Sequence, residues 1–456
     1  MLVDNIKELK KDKVFLNKII MIGIPIAFQN LLNTLLNFVD TMMIGSLGES
    51  TIAGVGLANK VFFVFSLLLF GVVSGSAVLT AQYYGKRDVK NIRKVLGVSL
   101  ILGLLGSLIF VLGGLFAPKA VMRIFTPVEG TIEIGARYLR VIAISYPITA
   151  VTMCYTAVLR STNRVKAPVM ITIVSILTNV VLNYTLIFGK FGAPKMGVEG
   201  AALATVIARL LELSLILFIV YKKEIEASAR IKDLLDFDKE FIKKYFKTVS
   251  PVIANEFMWG LGVTMYSLVY GRMGDEAVAT ITISQNVEQI CIVLFQGLSA
   301  ATGVILGNEL GANKLEKAEK HATFIFIMQF AFTGVMMLVC LLIRQPLINL
   351  FNVSGQVSLN VMYCLNAFIL YMPFRMFNLI NIVGVLRCGG DTKAALALDV
   401  SSVWCVGIPL AIIGGLVLKL PIYYVYPLIT LEELYKFILG YKRYKKKIWV
   451  KNIIEV

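Results

Sequence analysis

The chain holds a single histidine, His321, in 456 residues. One imidazole excludes a His-based metal cluster and a paired-histidine acid–base centre. Cysteine is equally sparse. Cys154, Cys291, Cys340, Cys364, Cys388 and Cys405 show no CxxC and no paired spacing, so they read as free thiols within apolar segments. GxSxG, Walker A and dinucleotide patterns are missing, no catalytic residue is expected, and ATP does not drive this chain by itself. Gly192–Gly200 is rich in glycine, but no strand precedes it, so it reads as an external turn rather than a phosphate loop. No cleavable signal is expected. Residues 1–15 form a charged helical lead-in, and the first apolar run is too long for an h-region.

Charge is scarce as well, at 16% of residues, with 28 acids against 45 bases and a net charge of +17. What fills the sequence instead is apolar: 57% of residues are hydrophobic and the mean hydropathy is +0.78, outside the soluble globular range. An all-α polytopic membrane protein follows. Apolar runs long enough to cross a bilayer recur at about 16–42, 52–80, 95–117, 132–158, 167–189, 198–221, 246–270, 277–306, 321–343, 357–386, 394–417 and 421–440, giving twelve expected spans. Of the Lys and Arg residues, 33 fall in loops on one side, termini included, and 7 on the other. The rich side is cytoplasmic by the positive-inside rule, so both termini are expected inside a cell (inner or plasma) membrane. The basic excess is thus topological, with a secondary attraction to anionic lipid headgroups. A nucleic-acid partner is not expected, because no soluble module interleaves basic and aromatic residues.

The chain is a tandem repeat. Pro25 and Pro251, Gly45 and Gly271, Gly48 and Gly274, Gly71 and Gly297, Gly85 and Gly311, and Pro147 and Pro373 are each separated by 226 positions. Val158, Leu159 and Arg160 match Val385, Leu386 and Arg387 at 227. Two parallel six-helix bundles, residues 1–220 and 248–456, are expected around a cytoplasmic linker, 221–247, with a short amphipathic helix on the membrane surface. Six spans per copy give both copies the same orientation, with a substrate cleft between them near the midplane. Gly85 and Gly311 read as hinge turns between spans.

Polar residues inside spans stand out. On span 1, Gln29, Asn33, Asn37 and Asp40 fall within an arc of about 80°, with Thr41 just beyond. A buried aspartate costs roughly 2.5–3.5 kcal/mol at a helix centre, so this face turns to water or a ligand. On span 5, Ser175, Asn179 and Asn183 repeat the pattern, and Thr205 on span 6 adds a hydroxyl. Asp40, Asn179, Asn183 and Thr205 therefore form a hard-oxygen candidate for a small cation, with helix-to-helix amide bonding as the plain alternative. In the second half, Glu256 has no Lys or Arg within two turns of its own helix and is expected in the substrate or proton pathway. Trp259 and Tyr266 near it, with Gln285, Glu288 and Gln289 on span 8, would suit an amphipathic organic cation through stacking and charge. Asp399 and Glu212 are weaker candidates, the latter paired with Arg209, and Arg375 would counterbalance an acid.

The combination of PIAFQNLLNTLLNFVDTMMIGSLG in span 1, GSAVLTAQYYGKRD after span 2, VLRSTNRVKAP, GVEGAALAT entering span 6 and VLRCGGDTKAA in the second half resembles the MATE family of multidrug and toxic compound extrusion transporters over nearly the whole chain. The resemblance implies a V-shaped fold of twelve helices that exchanges Na+ or H+ for drugs or metabolic cations, with no other cofactor. It implies that Asp40 is the family's first-helix carboxylate, that Asn179 belongs to the cation site, and that Asn183 stands where members carry aspartate or asparagine; Na+ would sit at Asp40, Asn179 and Asn183. Pro25 matches a proline where the first helix bends. The chain departs from the NorM-like branch in span 7, where Trp259 stands one turn from Glu256 at the branch's glutamate, and in span 10, where Met376 or Asn378 stands for an aspartate. Branch and coupling ion stay open. A lipid-precursor or oligosaccharide flippase shares the architecture but lines its cleft with arginines, where this chain offers acids and amides; a membrane-embedded transferase would need catalytic polar clusters. A monomer exporting organic cations is the expectation.

Overall fold

The structure, a computed structural model, describes residues 12–349 and 353–455. The described chain is almost wholly helical. Twelve long helices follow the expected spans: α1 Lys13–Gly45, α2 Glu49–Gly85, α3 Val89–Phe116, α4 as the pair Glu129–Ile142 and Ser145–Ser161, α5 Lys166–Phe188, α6 Val198–Lys222, α7 Lys239–Met273, α8 Asp275–Gly311, α9 Leu315–Asn349, α10 Gly355–Leu386, α11 Thr392–Val417 and α12 Ile422–Lys445. Ten are long and apolar enough to cross a membrane, and α4, bent by 48°, makes an eleventh. The 24-residue α12 has the length, but Glu432, Glu433 and Lys436 lower its hydropathy. Most of the lead-in, residues 1–11, lies outside the described residues. Asp12 begins α1 as its cap, accepting from the Phe15 N–H at 3.0 Å, and that bond holds its carboxyl below the usual range.

Local sequence explains the helix ends. Gly48 and Gly274 lie immediately before α2 and α8 with φ of 117° and 107°, which a side chain would strain, and they occupy equivalent turns of the two repeats. At the expected hinge turns, the left-handed residue is not the glycine. Gly85 and Gly311 end their helices, and Arg87 and Asn313 carry the positive φ two positions on.

Packing divides the described chain into two units. The N unit is Phe28–Ile253, and the C unit joins the residues up to Ala27 with those from Ala254 onward. This differs from the division at 220 and 248 drawn from the loops, because α1 and α7 each change unit two residues after a proline, Pro25 and Pro251. Small residues explain the exchange. In the C unit, a Cβ on Gly297 would stand 2.6 Å from the Ala27 Cβ, and Gly23 lies against the same stretch of α8. In the N unit, a Cβ on Gly71 of α2 would stand 2.7 Å from the Ile253 Cα, and Ser76 bonds Tyr245 at 2.7 Å. The linker also belongs to the N unit. Its five-residue helix Ile231–Leu235 docks on α3, where any Cβ at Gly97 would collide with the Leu234 carbonyl, and Asp236 pairs with Lys90 at 3.1 Å, which lowers its pKa. The tail after α12 docks likewise in the C unit, with Trp449 fully buried against Gly389.

The histidine is buried in the C unit between Asp12 at 3.2 Å and Glu309 at 2.8 Å, stacked on Phe15. Five of the six cysteines are buried free thiols, whereas Cys405 is exposed.

Candidate functional site

The polar face of α1 opens into a cavity of about 450 Å³ within the N unit. Asn33, Asn37, Asp40 and Thr41 line it from α1, Tyr138 from α4, Asn179 and Asn183 from α5, and Thr205 and Arg209 from α6. The four residues expected to hold a cation form one hydrogen-bonded string. Asn183 Nδ2 donates to Asp40 Oδ1 at 2.6 Å and to Asn179 Oδ1 at 3.0 Å, and Asn179 Nδ2 donates to Thr205 Oγ1 at 3.3 Å. Ser175, on the same stripe of α5, is spent on the Ala208 carbonyl of α6 at 2.9 Å and acts as helix glue.

Two features distinguish this string from Ser175. No Lys or Arg nitrogen lies within 4 Å of Asp40 among the described residues, although Arg209 acts on it through space. Asn183, only 1% exposed, leaves its Oδ1 without any partner. An orphaned amide oxygen beside a carboxylate costs energy unless something fills it. One carboxylate, two amide oxygens and a hydroxyl make a hard, singly charged donor set, which fits Na+, while the carboxylate alone suffices for a proton.

Gln29 is not part of the cavity wall. It is 4% exposed, donates to Thr172 Oγ1 at 2.6 Å and accepts from Arg160 Nη2 at 2.6 Å. It shares the arc of Asp40 but sits eleven residues earlier, about 16 Å along the axis. Thr172 in turn donates to Glu212 at 3.0 Å, and Glu212 pairs with Arg209 at 2.8 Å as the sequence suggested.

In the C unit the acids are paired. Glu256, expected to stand alone, lies 2.8 Å from Arg387. Its partner is 131 positions away, immediately after the last residue of α10, beyond the reach of any helical-turn argument. Glu288 turns inward to Arg375 at 2.8 Å and accepts from Tyr426 at 2.5 Å, whereas Gln285 and Gln289 are exposed on α8. Asp399 pairs with Lys436 at 3.0 Å and accepts from Asn255 at 3.0 Å. Met376 is buried, and Asn378 donates to Glu433 at 2.8 Å. Trp259 is 44% exposed, and Tyr266 donates to Glu432. Sequence reasoning missed Tyr138, Glu432, Glu433 and Lys436. The repeated Val-Leu-Arg tripeptide was the one available signal for the half-buried Arg160 and the buried Arg387.

Comparison with known proteins identifies the family. The MatE family model matches residues 25–185 and 251–413, once in each repeat. YisQ of Bacillus subtilis, described as an uncharacterized transporter, is 24% identical over 428 residues, covering 94% of each chain. A probable multidrug resistance protein NorM of Thermotoga maritima is 27% identical over 420 residues, covering 90% of this chain and 86% of that one. Among solved structures, a MOP superfamily transporter from Pyrococcus furiosus superposes with a TM-score of 0.85 at 20% identity, over 94% of this chain and 95% of that one. A MATE in its bent conformation superposes at 0.86 and 20% identity, over 97% of each chain. With two matched repeats covering most of its length, the chain belongs to the MATE family of membrane transporters.

Proposed function

We propose that this protein is a secondary antiporter that exports amphipathic organic cations in exchange for Na+ or H+ bound at Asp40. The observation that carries this reading is the Asp40–Asn183–Asn179–Thr205 string, with an unpartnered amide oxygen in a cavity and no fixed cation on its carboxylate. The contrast with the C unit supports it: Glu256, Glu288 and Asp399 each hold a permanent Arg or Lys within 3.0 Å. Those acids have counter-ions supplied by the protein itself, whereas a counter-ion at Asp40 would be exchangeable. Ion binding shifts a conformational equilibrium only by its differential affinity for the two forms. The proline of α1, at the point where that helix changes unit, is the element we assign to respond. Trp259, Gln285 and Gln289, all exposed in the C unit, are the contacts we assign to substrate. Uptake of a fluorescent organic cation into inverted vesicles tests the reading. Uptake should rise when a Na+ or H+ gradient is imposed, and gradient-independent uptake would contradict antiport.

Membrane placement is part of the proposal: a cell membrane protein, acting as a monomer, with both termini and the linker in the cytoplasm. Glu129, Lys195, Lys90 and Lys314 are all exposed, so single cysteines there are reachable. An impermeant thiol reagent applied to intact cells should label cysteine at 129 or 195 and spare it at 90 or 314. The inverse pattern would reverse the topology.

A further inference from the structure

The repeat offers a second ion-binding position that the first one makes visible. At the offset of 226, Asp40 of α1 corresponds to Tyr266 of α7; at 227, Thr205 of α6 corresponds to Glu432 of α12. The carboxylate and the hydroxyl have exchanged helices. In the N unit the acid is on the first helix of the repeat and the hydroxyl on the sixth, whereas in the C unit the hydroxyl is on the first and the acid on the sixth. Tyr266 and Glu432 are also in contact, the phenol donating to Oε2 of the carboxylate.

The surroundings separate Glu432 from Glu256, Glu288, Asp399 and Glu433, which share the C unit with it. Glu256, Glu288 and Asp399 each have a cation within 3.0 Å, and Glu433 has the Asn378 amide at 2.8 Å with Arg375 and Lys436 at 4.0 Å. Five carboxylates thus face three cations, Arg375, Arg387 and Lys436. Glu432 is the one without a cation within 4 Å among the described residues, its hydrogen bond coming from a neutral phenol. The backbone of α11 presses on the pair. Gly407 closes a π-helical turn, Val403–Gly407, and any Cβ there would collide with both the Tyr266 hydroxyl and Glu432 Oε2. Such turns widen a helix locally and are frequent at functional positions. A half-buried carboxylate whose one donor is the Tyr266 hydroxyl lacks the shell of oxygens that a metal cation requires.

We propose that Glu432, held by Tyr266 under Gly407, is a proton-binding site of the second repeat, separate from the Asp40 site. The proton adds to Glu432 Oε1, forming one O–H bond, while Oε2 keeps the Tyr266 hydrogen bond. The charged and titratable groups around it are Tyr266 and Tyr270 on α7, Arg375 on α10, Asp399 on α11, and Glu433 and Lys436 on α12. Use of this proton in transport rests on the antiport reading given above; its existence does not.

Infrared difference spectroscopy of the purified full-length protein across a pH series tests the site directly. A carboxylic-acid stretch that disappears on alkalinisation is expected in the wild type and in Asp40→Asn, and is lost in Glu432→Gln. Tyr266→Phe should keep the band but move it to higher frequency, because the acid loses its hydrogen-bond donor; this arm holds should Glu432→Gln not fold. A band unchanged by both Glu432→Gln and Tyr266→Phe, or no band that depends on residue 432 at any pH, overturns the inference. A wild type that shows the band but no gradient-driven transport would sink the antiport reading and leave the proton site standing.

Discussion

Asp40→Asn should abolish gradient-driven export, lowering the coupled rate by a factor on the order of 100, while leaving a folded protein that still binds substrate. The substitution is isosteric, so the Asn183 contact at 2.6 Å can be kept by an amide oxygen, and the cavity keeps its volume. What disappears is the charge that makes a cation or proton worth binding. Asn183→Ala should act more mildly, raising the half-saturating Na+ concentration about tenfold by removing one oxygen ligand. Asn179→Ala should weaken Na+ dependence more than substrate binding, and should matter little where the carried ion is H+. Transport driven by each gradient in proteoliposomes, with substrate affinity measured in parallel, checks all three. Asp40→Asn retaining coupled export would move the coupling site elsewhere.

Glu256→Gln is expected to act on folding first. Its carboxylate pairs with Arg387, which is 1% exposed, so the amide removes the nearest negative charge from a buried guanidinium. Removing one member of a buried pair costs about 3–5 kcal/mol, a large part of the stability of a protein. The yield of monodisperse protein and its thermal midpoint should both fall. Replacing both partners, as in Glu256→Gln with Arg387→Met, removes the stranded charge and should recover most of the loss. Fluorescence-detected gel filtration across temperature measures this. A single variant as stable as the wild type would show that the pair is not structural, and a double variant no better than the single would show that the guanidinium is not what was stranded.

How far the sequence could be read depends on distance along the chain. Polar residues are rare in an apolar helix, so the periodicity that groups Asn33, Asn37, Asp40 and Thr41 was visible, and the cavity contains all four. The same periodicity misplaced Gln29, because an arc records direction around a helix and not depth along it. Asn179, Asn183 and Thr205 could be proposed as partners of Asp40, but their meeting depends on how α5 and α6 pack against α1. Pairs such as Glu256 with Arg387 leave no local trace at a separation of 131. The charges of α12 leave little trace in the sequence because Glu432, Glu433 and Lys436 only interrupt a weak apolar run, whereas in the fold they turn inward to Tyr266, Asn378 and Asp399. The division into units escaped notice for a similar reason. Loops mark where the chain leaves the membrane, but the glycines of α2 and α8 decide which neighbours α1 and α7 keep.

Exchange through Asp40 is the central claim, and reverse coupling tests it most directly. Because linkage is reciprocal, a gradient of organic cation imposed across proteoliposomes should drive Na+ or H+ in the opposite direction, and the ion flux can be followed with radioactive sodium or an internal pH dye. The account predicts a substrate-driven counterflux of one of these ions in the wild type and none in Asp40→Asn. An equal counterflux in Asp40→Asn, or substrate movement in the wild type with no counterflux of either ion, would contradict it.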